Sequence, residues 1–206
     1  MKGRVDYMCG RYYLADKTVQ QIQGLTDNKE WNIEADTDIF PSQSAPVIVP
    51  KKEGAKGLSF QKQLWGFTGF SSKAKSKVIF NARAETALEK KLFRESVINR
   101  RCIVPATWFY EWDKSKNKVT FQREDHDTLF FAGFFQRYSE GERFVLLTTT
   151  ANSSIQSVHD RMPLILERRD LNDWLFEQSR LEEFLKRIPC LLTAQKEYKQ
   201  EELPFL

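Results

Sequence analysis

Strand follows strand through the middle of this chain, and no other sequence feature limits the fold so much. The runs 102–104, 108–112, 119–123, 129–135 and 144–150 are short, rich in aromatic and β-branched residues, and separated by polar turns. Lys-Ser-Lys-Asn-Lys at 114–118 reads as a hairpin turn between two of them. Upstream, Ala45 to Val49 is a short apolar strand with Pro46 near its start and Pro50 bounding its end, and Pro41 lies in the loop before it. Residues 58–67 alternate apolar with polar, as a half-buried strand does. Asp16 is predicted to cap a helix through Gln23 that ends near Gly24. Residues 86–99 have helical spacing, with Leu88, Leu92 and Phe93 on one side. Residues 168–176 and 181–187 also read as helices, followed by a last strand around Leu191. Strands and helices do not alternate strictly, which disfavours a parallel α/β sheet. The expected fold is α+β: one domain with a curved, barrel-like, mostly antiparallel β-sheet flanked by helices.

A chain of 206 residues fits one domain with a sizeable core, and sixteen Phe, five Trp and six Tyr supply it. No window approaches the roughly 20 apolar residues of a membrane span. The segment MKGRVDY has no apolar centre, so a secretory signal is not expected and the cytoplasm is the default compartment. Net charge is +4, from 32 basic and 28 acidic side chains. That excess alone does not argue for a polyanion. Basic residues cluster locally at Lys73, Lys75 and Lys77, at Arg100 and Arg101, and at Lys114, Lys116 and Lys118. Each cluster taken singly reads as a solvated loop; a phosphate-tracking groove is the sharper alternative. Three widely spaced cysteines without a C-x-x-C pair, and only His126 and His159, give no basis for a structural zinc site or a disulfide framework. Cys102 and Cys190 stand among apolar residues, as buried small hydrophobes do.

Four segments carry groups able to do chemistry. They are Met8-Cys9-Gly10-Arg11-Tyr12, Asn81-Ala82-Arg83-Ala84-Glu85-Thr86, the run RCIVPATWFYEW at 101–112, and His159-Asp160-Arg161-Met162-Pro163. Singly, each has an ordinary explanation. His159 would be a hydrogen-bonded surface histidine, Glu111 the polar face of a strand, and Asn81 a cap or turn residue.

In order and wording, these segments together resemble the SRAP family, the SOS-response-associated peptidases or abasic-site processing proteins. The resemblance runs from Met8 to about Cys190 and includes Pro41-Ser42-Gln43-Ser44-Ala45-Pro46-Val47 and Trp65-Gly66. It implies that Cys9 is the nucleophile and that Asn81, Glu111 and His159 are its partners. Arg11, Arg83 and Arg161 would face DNA phosphates, with Met162 beside them. Trp65 would be an apolar platform or wedge, although a core tryptophan is the common alternative. The implied partner is single-stranded DNA containing an abasic site, met by a monomer that uses no metal and no organic cofactor. The implied domain is 9–206, with 1–8 an extension missing from the mature active protein. AP-lyase and self-processing peptidase activities would accompany the main reaction.

Elementary chemistry fits those roles. An abasic sugar opens to an aldehyde, which an unprotonated amine attacks to form a Schiff base. An α-amine has a pKa of about 7.8 against about 10.4 for lysine, so its free-base fraction near neutrality is roughly a few hundred times larger. The neighbouring thiol then closes a five-membered thiazolidine. Only an N-terminal cysteine places amine and thiol at that spacing. Glu111 as general acid needs a raised pKa, which its aromatic neighbours could supply by desolvation. His159 would shuttle a proton and Asn81 would orient the amine or the sugar.

The chain departs from the family pattern in three places. The family's cysteine normally follows the initiating methionine, whereas here seven residues precede Met8. Three resolutions stay open: a true start at Met8, proteolysis between Met8 and Cys9, or a blocked and inactive member. Lys2-Gly3-Arg4 can be encoded by a purine-rich stretch resembling a ribosome-binding site, which favours the first. Trp108 stands where family members commonly carry glycine, and Gly69 where a proline usually follows Trp-Gly. Two rival functions use the same residues: a thiol peptidase built on Cys9, His159 and Glu111, and a noncatalytic single-strand-binding module.

Overall fold

A computed structural model of the chain describes residues 9–26, 33–51, 57–68 and 78–197. Residues 1–8, Lys73, Lys75, Lys77 and Gly69 lie outside them. In chain order the elements are β1 (Tyr12–Leu14), α1 (Asp16–Gln23), β2 (Thr37–Ile39), β3 (Ser44–Pro50), β4 (Leu58–Trp65), β5 (Asn81–Arg83) and α2 (Lys91–Asn99). They continue with β6 (Arg101–Ala106), β7 (Trp108–Trp112), β8 (Lys118–Gln122), β9 (Leu129–Tyr138) and β10 (Gly141–Thr150). The last are β11 (Arg161–Pro163), β12 (Ile165–Leu166), α3 (Leu171–Phe176), α4 (Leu181–Leu185) and β13 (Thr193–Glu197).

Five strands close into a barrel in the order β10-β4-β3-β6-β9, with β9 returning to β10 as a hairpin. Closure leaves none of the five with an open edge. The described pairings are antiparallel except where β10 runs parallel to β4 and then to β5. The turn out of β4 is made by Gly66 at φ +115°, where a Cβ would sit 2.3 Å from Val78. At Gly133 a Cβ would lie 2.9 Å from the Val145 carbonyl and 3.1 Å from Cys102 Sγ, so only glycine lets β9 approach β10 and β6 this closely. A second, fully antiparallel sheet has the order β13-β8-β7-β1-β2. It packs on the barrel through Tyr12 and Phe109, whose rings meet Phe131 edge-on at 5.9 and 5.8 Å.

The expected α+β domain, barrel-like and mostly antiparallel, is the one observed. Several local expectations change. Residues 84–86 form a single 3-10 turn, and the helix begins only at Lys91, because Lys90 is extended and interrupts the run. Asp16 is the first residue of α1 rather than its cap: Ala15 holds that position, and the Asp16 carboxylate accepts a bond from Gln20 instead. Residues 168–170 are 3-10 before α3 starts. Arg101 is 5% exposed and is not part of a solvated basic cluster. Its guanidinium donates to the carbonyls of Val97, Ile98, Trp174 and Leu175, tying the ends of α2 and α3 to the start of β6. Cys102 is buried as expected, whereas Cys190 is only half-buried, with Arg123 donating to its sulfur at 3.6 Å.

Candidate active site around Cys9 and Glu111

Side-chain alternation along β7 sends Phe109 and Glu111 inward and leaves Trp108, Tyr110 and Trp112 on the other face. Tyr12 pairs with Phe109, so the chain running back from Tyr12 toward Cys9 passes alongside Glu111. The backbone nitrogen of Cys9 donates to Glu111 Oε1 at 2.6 Å. Both residues are buried, Cys9 completely and Glu111 at 3% exposure. Burial pushes the Glu111 carboxyl up to about 8, with the Asp160 charge adding to the effect; the Cys9 and Trp112 N–H groups pull the other way without winning. Burial, with Glu111 behind it, also pushes the Cys9 thiol well above its ordinary range. Near neutrality the site therefore holds a protonated carboxyl and a protonated thiol around one nitrogen. Cys9 has a φ of +41°.

Asn81 arrives from the neighbouring strand. Pairing of β5 with Leu146 of β10 fixes its height, and its Nδ2 donates to the Cys9 carbonyl at 3.4 Å. His159 sits just before β11, with Nδ1 accepting the Arg161 N–H at 3.1 Å and lying 3.0 Å from Asp160. That nitrogen cannot serve both neighbours at once: unprotonated it takes the N–H, and protonated it pairs with the carboxylate. Neither Cys9 nor Glu111 is hydrogen-bonded to His159 among the described residues. Cys9 thus contacts both Glu111 and Asn81, whereas the described contacts of His159 are to Arg161 and Asp160.

The arginines divide. Arg11 holds Asp38 and lies between the rings of Phe40 and Tyr110, at 5.0 and 4.7 Å from their centroids. Arg161 makes a two-pronged bond to Glu85, at 2.6 and 2.7 Å, and a third to the Thr148 carbonyl. Arg83 is exposed and makes no ion pair among the described residues. Two expectations are corrected. Trp65 is wholly buried, with Nε1 donating to the Phe80 carbonyl and its ring packed by Tyr12, Phe80 and Phe144, so no face is open as a platform or wedge. Met162 is buried too, its sulfur accepting the Asn152 N–H. Sequence reasoning missed Asp38 and Glu85, which hold two of the arginines, and Asp160, which bears on Glu111. Glu85 and Asp160 lay inside the very segments singled out, but a sequence does not say which charges face each other. Tyr12 was missed as well: its hydroxyl is buried without a hydrogen-bond partner among the described residues. No group of three metal-ligating side chains occurs among those residues, and no described helix is long and apolar enough to cross a membrane.

A small barrel bearing a second sheet, with the nitrogen of a buried cysteine bonded to a buried carboxyl, defines the class of protein. The chain belongs to the SRAP (SOS response associated peptidase) family, which it matches over residues 8–202. It is 31% identical over 183 residues to the abasic site processing protein YoqW of Bacillus subtilis, covering 82% of this chain and 80% of that protein. Abasic site processing protein YoaM of the same organism is 31% identical over 196 residues, covering 88% and 85%. YedK of Escherichia coli, another abasic site processing protein, is 27% identical over 182 residues, covering 83% and 81%. A crystal structure of a Bacteroides thetaiotaomicron protein shares the fold, with a TM-score of 0.75 at 21% identity over 91% of each chain.

Proposed function

We propose that this protein processes abasic sites in single-stranded DNA, capturing them as a thiazolidine through Cys9 once that residue is the chain's N-terminus. The observation that carries the reading is the 2.6 Å contact between the Cys9 nitrogen and Glu111, a carboxyl that burial pushes up. The relatives named as abasic site processing proteins support it. With a free amine at that nitrogen, its lone pair attacks the sugar aldehyde and a carbinolamine forms. Glu111 donates its proton to the hydroxyl, which leaves as water, and the carbon–nitrogen double bond forms. The Cys9 thiol adds to that carbon and returns its proton to the Glu111 carboxylate. One water is released and Glu111 ends as it began. The high pKa of the thiol suits this order, because the sulfur reacts last and beside a base. Asn81 holds the Cys9 carbonyl and so the direction of the amine; Arg83 and Arg161 would meet phosphates, the latter by exchanging Glu85.

A thiol peptidase reading needs a thiolate, and burial opposes one here. Glu111 on the nitrogen of the 8–9 peptide bond would still serve as the acid for a leaving amine, so self-processing at that bond is compatible with the main reading. A role in the SOS response and an AP-lyase activity remain part of the proposal. The test is the intact mass of a chain begun at Met8, before and after incubation with single-stranded DNA bearing one abasic site. Loss of methionine, followed by an adduct that survives denaturation and that Cys9→Ala cannot form, is expected. No adduct from a chain with a free Cys9 would remove the cross-linking role.

A further inference from the structure

Tyr12 buries a polar group that the folded chain leaves unused. Its side chain is wholly inaccessible, and its hydroxyl has no hydrogen-bond partner among the described residues. Such a group is uncommon, because it loses its water contacts and gains no bond in return. The strands say where it points. Tyr12 is paired directly with Phe109, so the two side chains share a face, and Glu111, two residues further along β7, points the same way. Tyr12 therefore projects inward together with the carboxyl that holds the Cys9 nitrogen. Its ring is fixed there by Trp65 at 5.3 Å and Phe131 at 5.9 Å, centroid to centroid. Trp65 also meets Phe80 edge-on at 5.8 Å, and the Phe80 ring lies 3.9 Å from where a Cβ on Gly10 would stand. The Cys9–Gly10 segment and the Tyr12 ring thus border one aromatic wall. Burial pushes the phenol well above its ordinary range, and Cys9 and then Cys102 add to it, so both sulfurs bear on this oxygen. Of the two, only Cys9 takes part in the proposed reaction. The hydrogen bonds of Cys9 run through its backbone, to Glu111 and Asn81, and no described donor serves its sulfur.

We propose that Tyr12 is a positioning residue for ring closure: its hydroxyl, unused at rest, donates to the Cys9 sulfur as that sulfur gives up its proton and bonds to carbon. In this step the S–H bond breaks and the S–C bond forms. The proton passes to the Glu111 carboxylate, and one electron pair of the carbon–nitrogen double bond returns to nitrogen. Tyr12 keeps its own proton throughout. Its contribution is electrostatic. Negative charge passes over a sulfur that burial has cut off from water, and a donor already in place needs no reorganisation to meet it. The inference deepens the proposed function and rests on it, since only a free Cys9 amine sets up the imine that the sulfur attacks.

The test is Tyr12→Phe, which removes one oxygen and keeps the ring. In the full chain this variant should melt at least as high as the wild type, because a buried hydroxyl without a partner is lost. A lower melting temperature would show that the hydroxyl is already bonded at rest, and would overturn the proposal. The reaction is then followed in the chain that begins with a free Cys9, mixed with single-stranded DNA bearing one abasic site. Quenched samples are reduced with borohydride, which fixes the open imine but not the closed ring. Imine formation should keep its wild-type rate while closure slows roughly 10- to 100-fold, the worth of a hydrogen bond to a charged group. More of the strand should also be cut, since an open imine lets the sugar eliminate its phosphate. Unchanged closure would overturn the proposal. So would equal slowing of both steps, which is what a merely structural role produces. A wild type that forms no adduct at all is a separate result: it removes the cross-linking reading, and this role with it.

Discussion

A carboxyl that titrates near pH 8 favours folding only while it keeps its proton. Glu111 is pushed up to about 8 by burial, against an ordinary value of 4.5. Its neutral form is therefore the one the fold prefers. That contribution is complete below about pH 4.5 and is lost as pH climbs through about 8. Thermal melts at pH 5 and pH 9 should show the wild type losing more stability than Glu111→Gln, which cannot ionise; parallel losses would contradict the burial argument. The same variant should slow adduct formation by about 10²- to 10⁴-fold, the usual worth of a positioned general acid, read by quenched time courses on denaturing gels. An unchanged rate would remove Glu111 from the proton transfers. Arg83 is the exposed cation of the site. Arg83→Ala should weaken single-strand binding and lower the salt slope by about 0.7, the single-strand figure for one phosphate contact. An unaltered slope would place it off the DNA path.

At the scale of elements, Arg101 is the joint to examine. It serves four carbonyls from the ends of α2 and α3, and among its described contacts no carboxylate offsets its charge. Arg101→Ala leaves those carbonyls without their donor, and should cost about 2–4 kcal/mol in a urea melt; a change below 1 would show that water replaces it. The sequence announced β3, β4 and β6 to β10, because each is long enough for alternation or a run of aromatics to register. It did not announce β1, β2, β5 or β11, of three residues each, since a strand that short exists only through the partner it pairs with. Yet β1 and β5 position Cys9 and Asn81. The motif wording pointed to those residues where periodicity could not. Trp65 and Met162 were misplaced for a related reason: their burial is decided by Tyr12, Phe80, Phe144 and the loop at Asn152, all remote or unpaired in sequence.

For the molecule as a whole, barrel closure joins residues far apart in the chain, as in the Gln63–Glu142 bond across 79 positions. Such topologies fold slowly, and refolding followed by tryptophan fluorescence should take milliseconds to seconds; completion within microseconds would conflict with the closed barrel. The backbone at Cys9 has a consequence for its own processing. The positive φ at Cys9 is a torsion about the N–Cα bond, and its value is defined by the carbonyl carbon of the residue before. For a cysteine inside a chain that twist costs about 1–2 kcal/mol. A cysteine that begins a chain has no preceding carbonyl and no such torsion, so the same placement of its side chain and nitrogen carries no penalty. Cutting the peptide bond ahead of Cys9 would relieve the backbone at the very atom it exposes.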